Sequence, residues 1–294
     1  MKKKSYLLAV AFLTWMTSCM SNVDSGSDTQ FKANVAITEK YIQTKGLSMQ
    51  TETSTEGVYY NISNASSTAR TANTAEIATV SYTFFRLSDD SIVDSAAVMS
   101  LPYNVNNTLL DYVISKLKVG SSATFLFAQL STISEPVRLE ISLKSIQNAD
   151  EIMASYIAKN YPTTAFTTTD SGLKFFKTVE KPKQDTAVVT GKNITVKYTG
   201  SLLYAVRKVN ATTNATYYTP VFDSGSFTYV AGSGTLIKGF EEGVLKMKLG
   251  EKALLLMPSS IAYGTKGALN SSTGYYSIPP SSPLLFEVEV TAIK

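Results

Sequence analysis

Two stretches near the C-terminus alternate apolar and polar positions with a period of two: Ile194, Val196 and Tyr198 in one, Phe286, Val288 and Val290 in the other. Successive side chains of a pleated strand point to opposite faces, so each stretch predicts a half-buried β-strand. Ala253 to Met257 is a short unbroken apolar run, as a central strand requires. One segment has helical spacing: Ile237, Phe240, Val244 and Met247 fall on one face, and Gly250 follows as a stop. Leu110, Val113 and Leu117, ended by Gly120, make a parallel case earlier in the chain. Many strands with one short helix per copy predict an α+β unit, an antiparallel sheet curled over that helix.

The same blocks occur twice. Ile37-Thr38-Glu39-Lys40-Tyr41-Ile42 returns as Ile152-Met153-Ala154-Ser155-Tyr156-Ile157, and Gly57-Val58-Tyr59-Tyr60 as Gly172-Leu173-Lys174-Phe175, both 115 positions later. Val80-Ser81-Tyr82-Thr83 matches Val196-Lys197-Tyr198-Thr199 at 116, and Val93-Asp94-Ser95 matches Phe222-Asp223-Ser224 at 129. Leu117, Gly120 and Ala123 match Met247, Gly250 and Ala253 at 130, and Leu139-Glu140-Ile141 matches Phe286-Glu287-Val288 at 147. Order is kept and the offset changes only between predicted elements, as when two copies of one fold diverge through loop insertions. The second copy gains 13 residues between its Tyr and its Asp, and 17 between Gly250 and Glu287. The polar stretches from Ser63 to Glu76 and from Val179 to Asn193 read as corresponding connections.

Composition narrows the chemistry. At 294 residues, 44% hydrophobic and 17% charged, the chain suits two globular domains. It has no histidine and a single cysteine, Cys19. That excludes Ser/His and Cys/His nucleophile pairs, imidazole bases, His-ligated metals and intrachain disulfides. Lys2, Lys3 and Lys4 precede an apolar run from Tyr6 to Met16 and then Thr17-Ser18-Cys19, the layout of a secretory signal too short to span a bilayer. The last four residues resemble a bacterial lipobox, in which Cys19 becomes the lipidated first residue; Met16 stands where leucine is usual. Ordinary secretion with an incidental thiol is the competing reading. Without the leader lysines, 24 basic residues face 23 acidic ones, too even a balance to attract nucleic acid. Residues 20–31 read as a polar tether, 32–147 as the first copy, and 148–294 as the second with its core at about 170–294.

The second copy carries motifs that can be compared with known families. Val196-Lys197-Tyr198-Thr199-Gly200, Val221-Phe222-Asp223-Ser224 and the run from Leu236 to Gly243 are followed by Gly250-Glu251-Lys252-Ala253. Ala262-Tyr263-Gly264, Ile278-Pro279-Pro280 and Phe286-Glu287-Val288-Glu289 complete the series. Over about Asp170 to Lys294 these seven blocks resemble, in order, the FKBP-type peptidyl-prolyl cis/trans isomerases. The resemblance implies two FKBP-like domains, each a curved antiparallel β-sheet wrapped over a short helix. It implies a prolyl pocket walled by Tyr198, Phe222, Phe227, Leu236, Ile237, Phe240, Ile278 and Phe286, with Asp223 and Tyr263 as polar members. Phe240 stands where the family most often has tryptophan. Tyr263 hydroxyl and the Ile237 backbone N–H are the implied grips on substrate carbonyls. No cofactor and no metal are implied. Implied partners are proline-containing unfolded or partly folded clients and a macrolide ligand.

An X–Pro amide resists rotation by roughly 18–20 kcal/mol because resonance stiffens its C–N bond. Lowering that barrier needs no nucleophile: a dry aromatic pocket that favours the twisted amide over the planar one suffices. Taken singly, each aromatic position also reads as core packing, Asp223 as a turn cap, Ile278-Pro279-Pro280 as loop shaping, and Glu241 and Glu242 as a solvated first helical turn. The loop from Thr265 to Ser277 is long for the family and places Tyr275 or Tyr276 over the site. The insertion from Tyr204 to Thr219 reads as a long hairpin, either client-touching or merely a surface excursion. The first copy keeps Tyr82 and Asp94 but has Val93 for the phenylalanine and lacks the Tyr-Gly and Ile-Pro-Pro loop. It reads as noncatalytic: a spacer, a client-binding surface or a dimer contact. The whole chain is expected to be an isomerase assisting folding of exported or envelope proteins, anchored by lipid in a bacterial envelope. A noncatalytic proline-peptide-binding chaperone or a structural envelope lipoprotein is the alternative.

Overall fold

The computed structural model describes residues 28–63, 66–105, 108–182, 186–209, 213, 216–271 and 275–294. The expected leader and the lipidation position Cys19 lie outside these residues. The chain divides into two compact units, one running to Ile146 and one beginning at Gln147, residues 209–216 set aside.

The N-terminal unit contains α1 (Asp28–Lys45), β1 (Gln50–Thr51), β2 (Val58–Ser63), β3 (Ile77–Arg86), β4 (Ile92–Pro102), α2 (Leu109–Ser115), β5 (Ser122–Phe127) and β6 (Val137–Gln147). The C-terminal unit contains α3 (Ala149–Asn160), β7 (Thr167–Thr168), β8 (Lys174–Val179), β9 (Asn193–Val209), β10 (Thr216–Val230), α4 (Lys238–Val244), β11 (Lys252–Met257), β12 (Ala268–Asn270), β13 (Tyr275–Ile278) and β14 (Leu284–Ile293). The six-stranded sheets run β1-β2-β5-β6-β3-β4 and β7-β8-β11-β14-β9-β10, the same order strand for strand. Register agrees too: Ala123 faces Ile141 in one sheet and Ala253 faces Val288 in the other. Both units are antiparallel sheets with a few helices, the expected α+β class.

Each sheet buries one face on its short helix. In the N-terminal unit Val80, Tyr82 and Phe84 of β3, with Phe125, Phe127 and Leu139, close over Leu110, Val113, Ile114 and Leu117. In the C-terminal unit Ile194, Val196, Leu255, Met257, Phe286 and Val288 close over Phe240, Val244 and Met247. Burying each such side chain contributes about 1.5–3 kcal/mol. Helix α4 can sit low on β11 because two of its residues lack side chains: a Cβ at Gly243 would stand 2.5 Å from Leu255 Cδ2, and one at Gly239 2.8 Å from Met257 Sδ. Glu251 is wholly buried but not a chemical group in waiting. Burial would raise its pKa; Lys177 at 2.9 Å and the N–H groups of Lys181 and Lys248 overcome that and hold it below the usual value.

Two helices were not expected. The first repeat block in each copy forms a helix, α1 and α3, so each unit has two helices where the pattern predicts one. Helix α1 starts at Asp28, so the last four residues of the expected tether are helical. No helix among the described residues is long and apolar enough to cross a membrane.

Candidate functional site

The rings expected to converge do so, at one end of the C-terminal sheet. Tyr198 lies on β9 and Phe222, Asp223 and Phe227 on β10; Phe240 comes from α4 and Phe286 from β14. Phe240 and Phe286 cross edge-to-face at 5.2 Å, Phe222 and Phe286 at 5.7 Å, and Tyr198 and Phe227 at 5.3 Å. Phe227 also lies 6.0 Å from Phe240, and Tyr198 6.3 Å from both Phe240 and Phe286. Such pairs add about 0.5–1.5 kcal/mol beyond burial, so the cluster holds its shape. Exposure is graded: Phe240, Phe286 and Ile278 are buried, whereas Tyr198, Phe222, Phe227, Leu236 and Ile237 are half-buried. The rings therefore form a floor and a rim, not a sealed core.

Sequence reasoning missed why they can meet. Gly200 sits on β9 opposite Phe286 of β14. A Cβ there would stand 2.6 Å from Phe222 Cζ and 2.8 Å from Phe286 Cε1, so any side chain would push those rings apart. A glycine inside an otherwise β-prone run is the readable signal of such an approach. Tyr229 was also missed: its ring lies tilted 5.7 Å from Phe227, and its buried hydroxyl has no hydrogen-bond partner among the described residues. Burial and the charge of Glu241 push that hydroxyl up to about 12.

The polar members stand at the rim. Tyr198 hydroxyl donates to Asp223 Oδ2 at 2.5 Å, and Ser224 N–H donates to Asp223 Oδ1 at 2.9 Å. The bond to Asp223, then burial, pushes Tyr198 up to about 12. Tyr263 follows a 3₁₀ turn at Ser259–Ile261 and is 37% exposed; it and Asp223 are the exposed members of the expected pocket. Burial of part of its ring and the charge of Asp223 raise its pKa, so it stays a donor at neutral pH. Ile237 is the N-cap of α4, with its carbonyl accepting from Phe240 and Glu241 N–H. Glu241 is more than a solvated charge: both its oxygens accept from Gly234 N–H at 3.2 Å, tying down the loop that carries Leu236 and Ile237. Tyr276 lies in the β12–β13 hairpin, opposite Leu269. Among the described residues no cluster of His, Cys, Asp and Glu could hold a metal ion.

Chemically, the arrangement offers an apolar, ring-lined recess with a hydroxyl and a carboxylate at its edge. Nothing in it is a nucleophile–base pair. It can bind a compact apolar ring and orient a neighbouring carbonyl. A recess of about 600 Å³ on the outer face of the N-terminal sheet is of another kind, lined by Ser81, Thr83, Ser95, Ser122, Thr124 and their neighbours.

The comparisons agree with this geometry. The family profile described as FKBP-type peptidyl-prolyl cis-trans isomerase matches residues 184–291. A peptidyl-prolyl cis-trans isomerase of Schizosaccharomyces pombe is 41% identical over 104 residues, 35% of this chain and 79% of that protein. FK506-binding protein 5 of Dictyostelium discoideum is 30% identical over 119 residues, 40% of this chain but only 7% of that much longer protein. Among solved structures, FkpA from Escherichia coli is 25% identical, with a TM-score of 0.36 covering 50% of this chain and 57% of that one. All of the prolyl-pocket residues expected from the sequence fall inside the matched stretch. The chain belongs, through its C-terminal unit, to the FKBP-type peptidyl-prolyl cis-trans isomerases.

Proposed function

We propose that the C-terminal unit catalyses X–Pro isomerisation in the pocket between Tyr198 and Phe286, and that it does so for exported or envelope proteins. The observation that carries this reading is the convergence of Phe222, Phe227, Phe240, Phe286 and Tyr198 into one cluster that is buried at its floor and open at its rim. A prolyl ring seated on Phe240 leaves water, and the twisted amide, having lost resonance and charge separation, suffers less from that dry surround than the planar one. Tyr263 hydroxyl and Ile237 N–H hold the flanking carbonyls, while Asp223, locked by Tyr198, shapes the rim. Proline-containing segments of partly folded proteins are the proposed substrates, and a macrolide is the proposed competitor, in keeping with relatives named FK506-binding proteins.

The export reading rests on the leader-like start and Cys19. In it, Cys19 carries a lipid, the N-terminal unit is a noncatalytic spacer or holding surface, and the isomerase unit faces an envelope compartment. Retention of the full-length protein in a detergent phase, lost on Cys19→Ala, is the expected result for an anchor. For the isomerase itself, the full chain is assayed on a proline peptide beside Phe222→Ala, Asp223→Ala and Tyr263→Phe. Wild type no faster than these variants defeats the catalytic reading and leaves a proline-binding module.

A further inference from the structure

The insertion that lengthens the second copy is rooted in the core. Strand β9 runs on past Leu202 and Leu203, and Tyr204 and Val206 of this extension pack against the apolar core of the unit. Leu202 faces Leu284 at the start of β14, so two steps further along the ladder Tyr204 comes opposite Ser282. The hydroxyls of both residues are shut off from solvent, and neither has a well-formed hydrogen bond among the described residues. Burial pushes Tyr204 up to about 12, and the Ser282 hydroxyl beside it pulls weakly the other way. A large ring thus stands against the loop that follows Ile278.

That loop is tied in turn to the one bearing Tyr263. Ser281 N–H donates to Gly264 carbonyl at 2.9 Å, and Gly264 N–H to Ser259 carbonyl at 2.8 Å. Gly267 N–H donates to Tyr263 carbonyl at 3.2 Å, and a Cβ on Gly267 would stand 2.3 Å from the carbonyl oxygen of Ile278. The two loops therefore touch backbone to backbone with no slack between them. Close packing of this kind transmits a displacement instead of absorbing it.

We propose that Tyr204 is a positioning residue for the prolyl site: from the root of the β9–β10 hairpin its ring braces the segment 278–282, and that segment holds Tyr263 over the pocket. The ring is the agent, and its hydroxyl contributes little. This inference rests on the prolyl reading of the pocket and adds a role for the insertion.

The test is a double-mutant cycle in the full chain, read as kcat/KM on a proline peptide, with thermal unfolding as the check on folding. In wild type, Tyr263→Phe is expected to slow turnover roughly tenfold, the worth of one good hydrogen bond. In a Tyr204→Ala background, already slower by about the same factor, Tyr263→Phe should change the rate by less than about threefold, because Tyr263 is no longer in place. Tyr204→Phe should restore wild-type behaviour. Equal effects of Tyr263→Phe in both backgrounds, or a Tyr204→Phe variant as slow as Tyr204→Ala, overturns the brace. If Tyr204→Ala does not fold, Tyr204→Leu, which keeps apolar bulk but lacks the ring's reach, takes its place in the same cycle. An inactive wild type sinks the reading of the pocket itself, a different result from any of these.

Discussion

The two units share one strand order and one tyrosine–aspartate pair, yet the pair is sealed in one and open in the other. In the N-terminal unit Tyr82 hydroxyl donates to Asp94 Oδ2 at 2.9 Å, with Tyr82 3% and Asp94 7% exposed. In the C-terminal unit the equivalent bond, Tyr198 to Asp223, stands at a pocket rim. The difference lies in where the aromatic volume goes. Two residues after Tyr82 comes Phe84, fully buried and edge-on to Tyr82 at 5.8 Å; two residues after Tyr198 comes Gly200. Phe84 fills from β3 the space that Gly200 leaves for Phe222 and Phe286. Val93 and Leu139 then stand where those two rings would be. A pocket and a core are thus two ways of packing one sheet on one helix, and the exchange of Gly200 for Phe84, with the two smaller partners beside it, separates them.

The largest effect expected from this contrast is on stability. Phe84→Ala removes a fully buried ring that has no slack around it and should destabilise the N-terminal unit by about 3–5 kcal/mol. Hydrogen exchange of β3 and β5 amides, read in the full chain, should rise accordingly, with isomerase activity unchanged. Activity that falls with it would mean the N-terminal unit is no mere companion to the pocket.

Next is the reverse transplant. Gly200→Phe with Phe222→Val and Phe286→Leu gives the C-terminal unit the plug and the two smaller partners of its counterpart. The unit should stay folded, since this combination already packs once in the molecule, and kcat/KM should drop by about a hundredfold or more as the recess fills. A triple variant that keeps substantial activity would show that the rings do not form the substrate site.

How much of this could be read beforehand depends on which residue carried the information. Seven blocks in order located the pocket, and Tyr198, Phe286 and Phe240 sit on elements whose own pattern is strong: alternation in β9 and β14, helical spacing in α4. The plug was not legible. The two copies match as far as Thr83 and Thr199, and the phenylalanine-for-glycine change comes at the very next position. Its meaning appears only when Phe286 is found opposite Gly200 across the ladder. Helices α1 and α3 were hidden for a different reason. The fully buried residues of α1 are polar, Asn34 and Thr38, held by bonds to Ser134 carbonyl and to the Asn34 carbonyl, and they interrupt the half-buried apolar face of Phe31, Val35, Tyr41 and Ile42. Helix α3 repeats its apolar pair only once, Ile152 and Met153 buried and Tyr156 and Ile157 half-buried four positions later, too short a run to mark a helix by period alone. Its capping box, Asn148 with Glu151, was the usable signal.

A smaller effect separates the two aspartates. Asp223→Ala breaks an exposed bond at the rim and should slow isomerisation roughly tenfold with little change in thermal unfolding. Asp94→Ala removes a buried acceptor and should destabilise its unit by about 1–3 kcal/mol while leaving the rate alone. Swapped outcomes, rate loss from Asp94 and stability loss from Asp223, would reverse the assignment of sealed and open copies.

The smallest effect is an absence of response to pH. The chain has no histidine, and the raised pKa values of Tyr198 and Tyr263 place both hydroxyls further from deprotonation than a free tyrosine. A group whose folded pKa is raised keeps its protonated form, and whatever that form contributes, until the pH passes the raised value. Activity should therefore vary by less than about twofold from pH 6 to pH 9 and begin to fall only above the ordinary tyrosine value of about 10. Asp223→Ala removes the first cause of the Tyr198 shift and should bring that fall to lower pH. A wild-type rate already declining at pH 8 would mean that the Tyr198–Asp223 bond does not persist at the open rim, and that only the sealed copy, with Tyr82 and Asp94 enclosed in its core, keeps the pair intact.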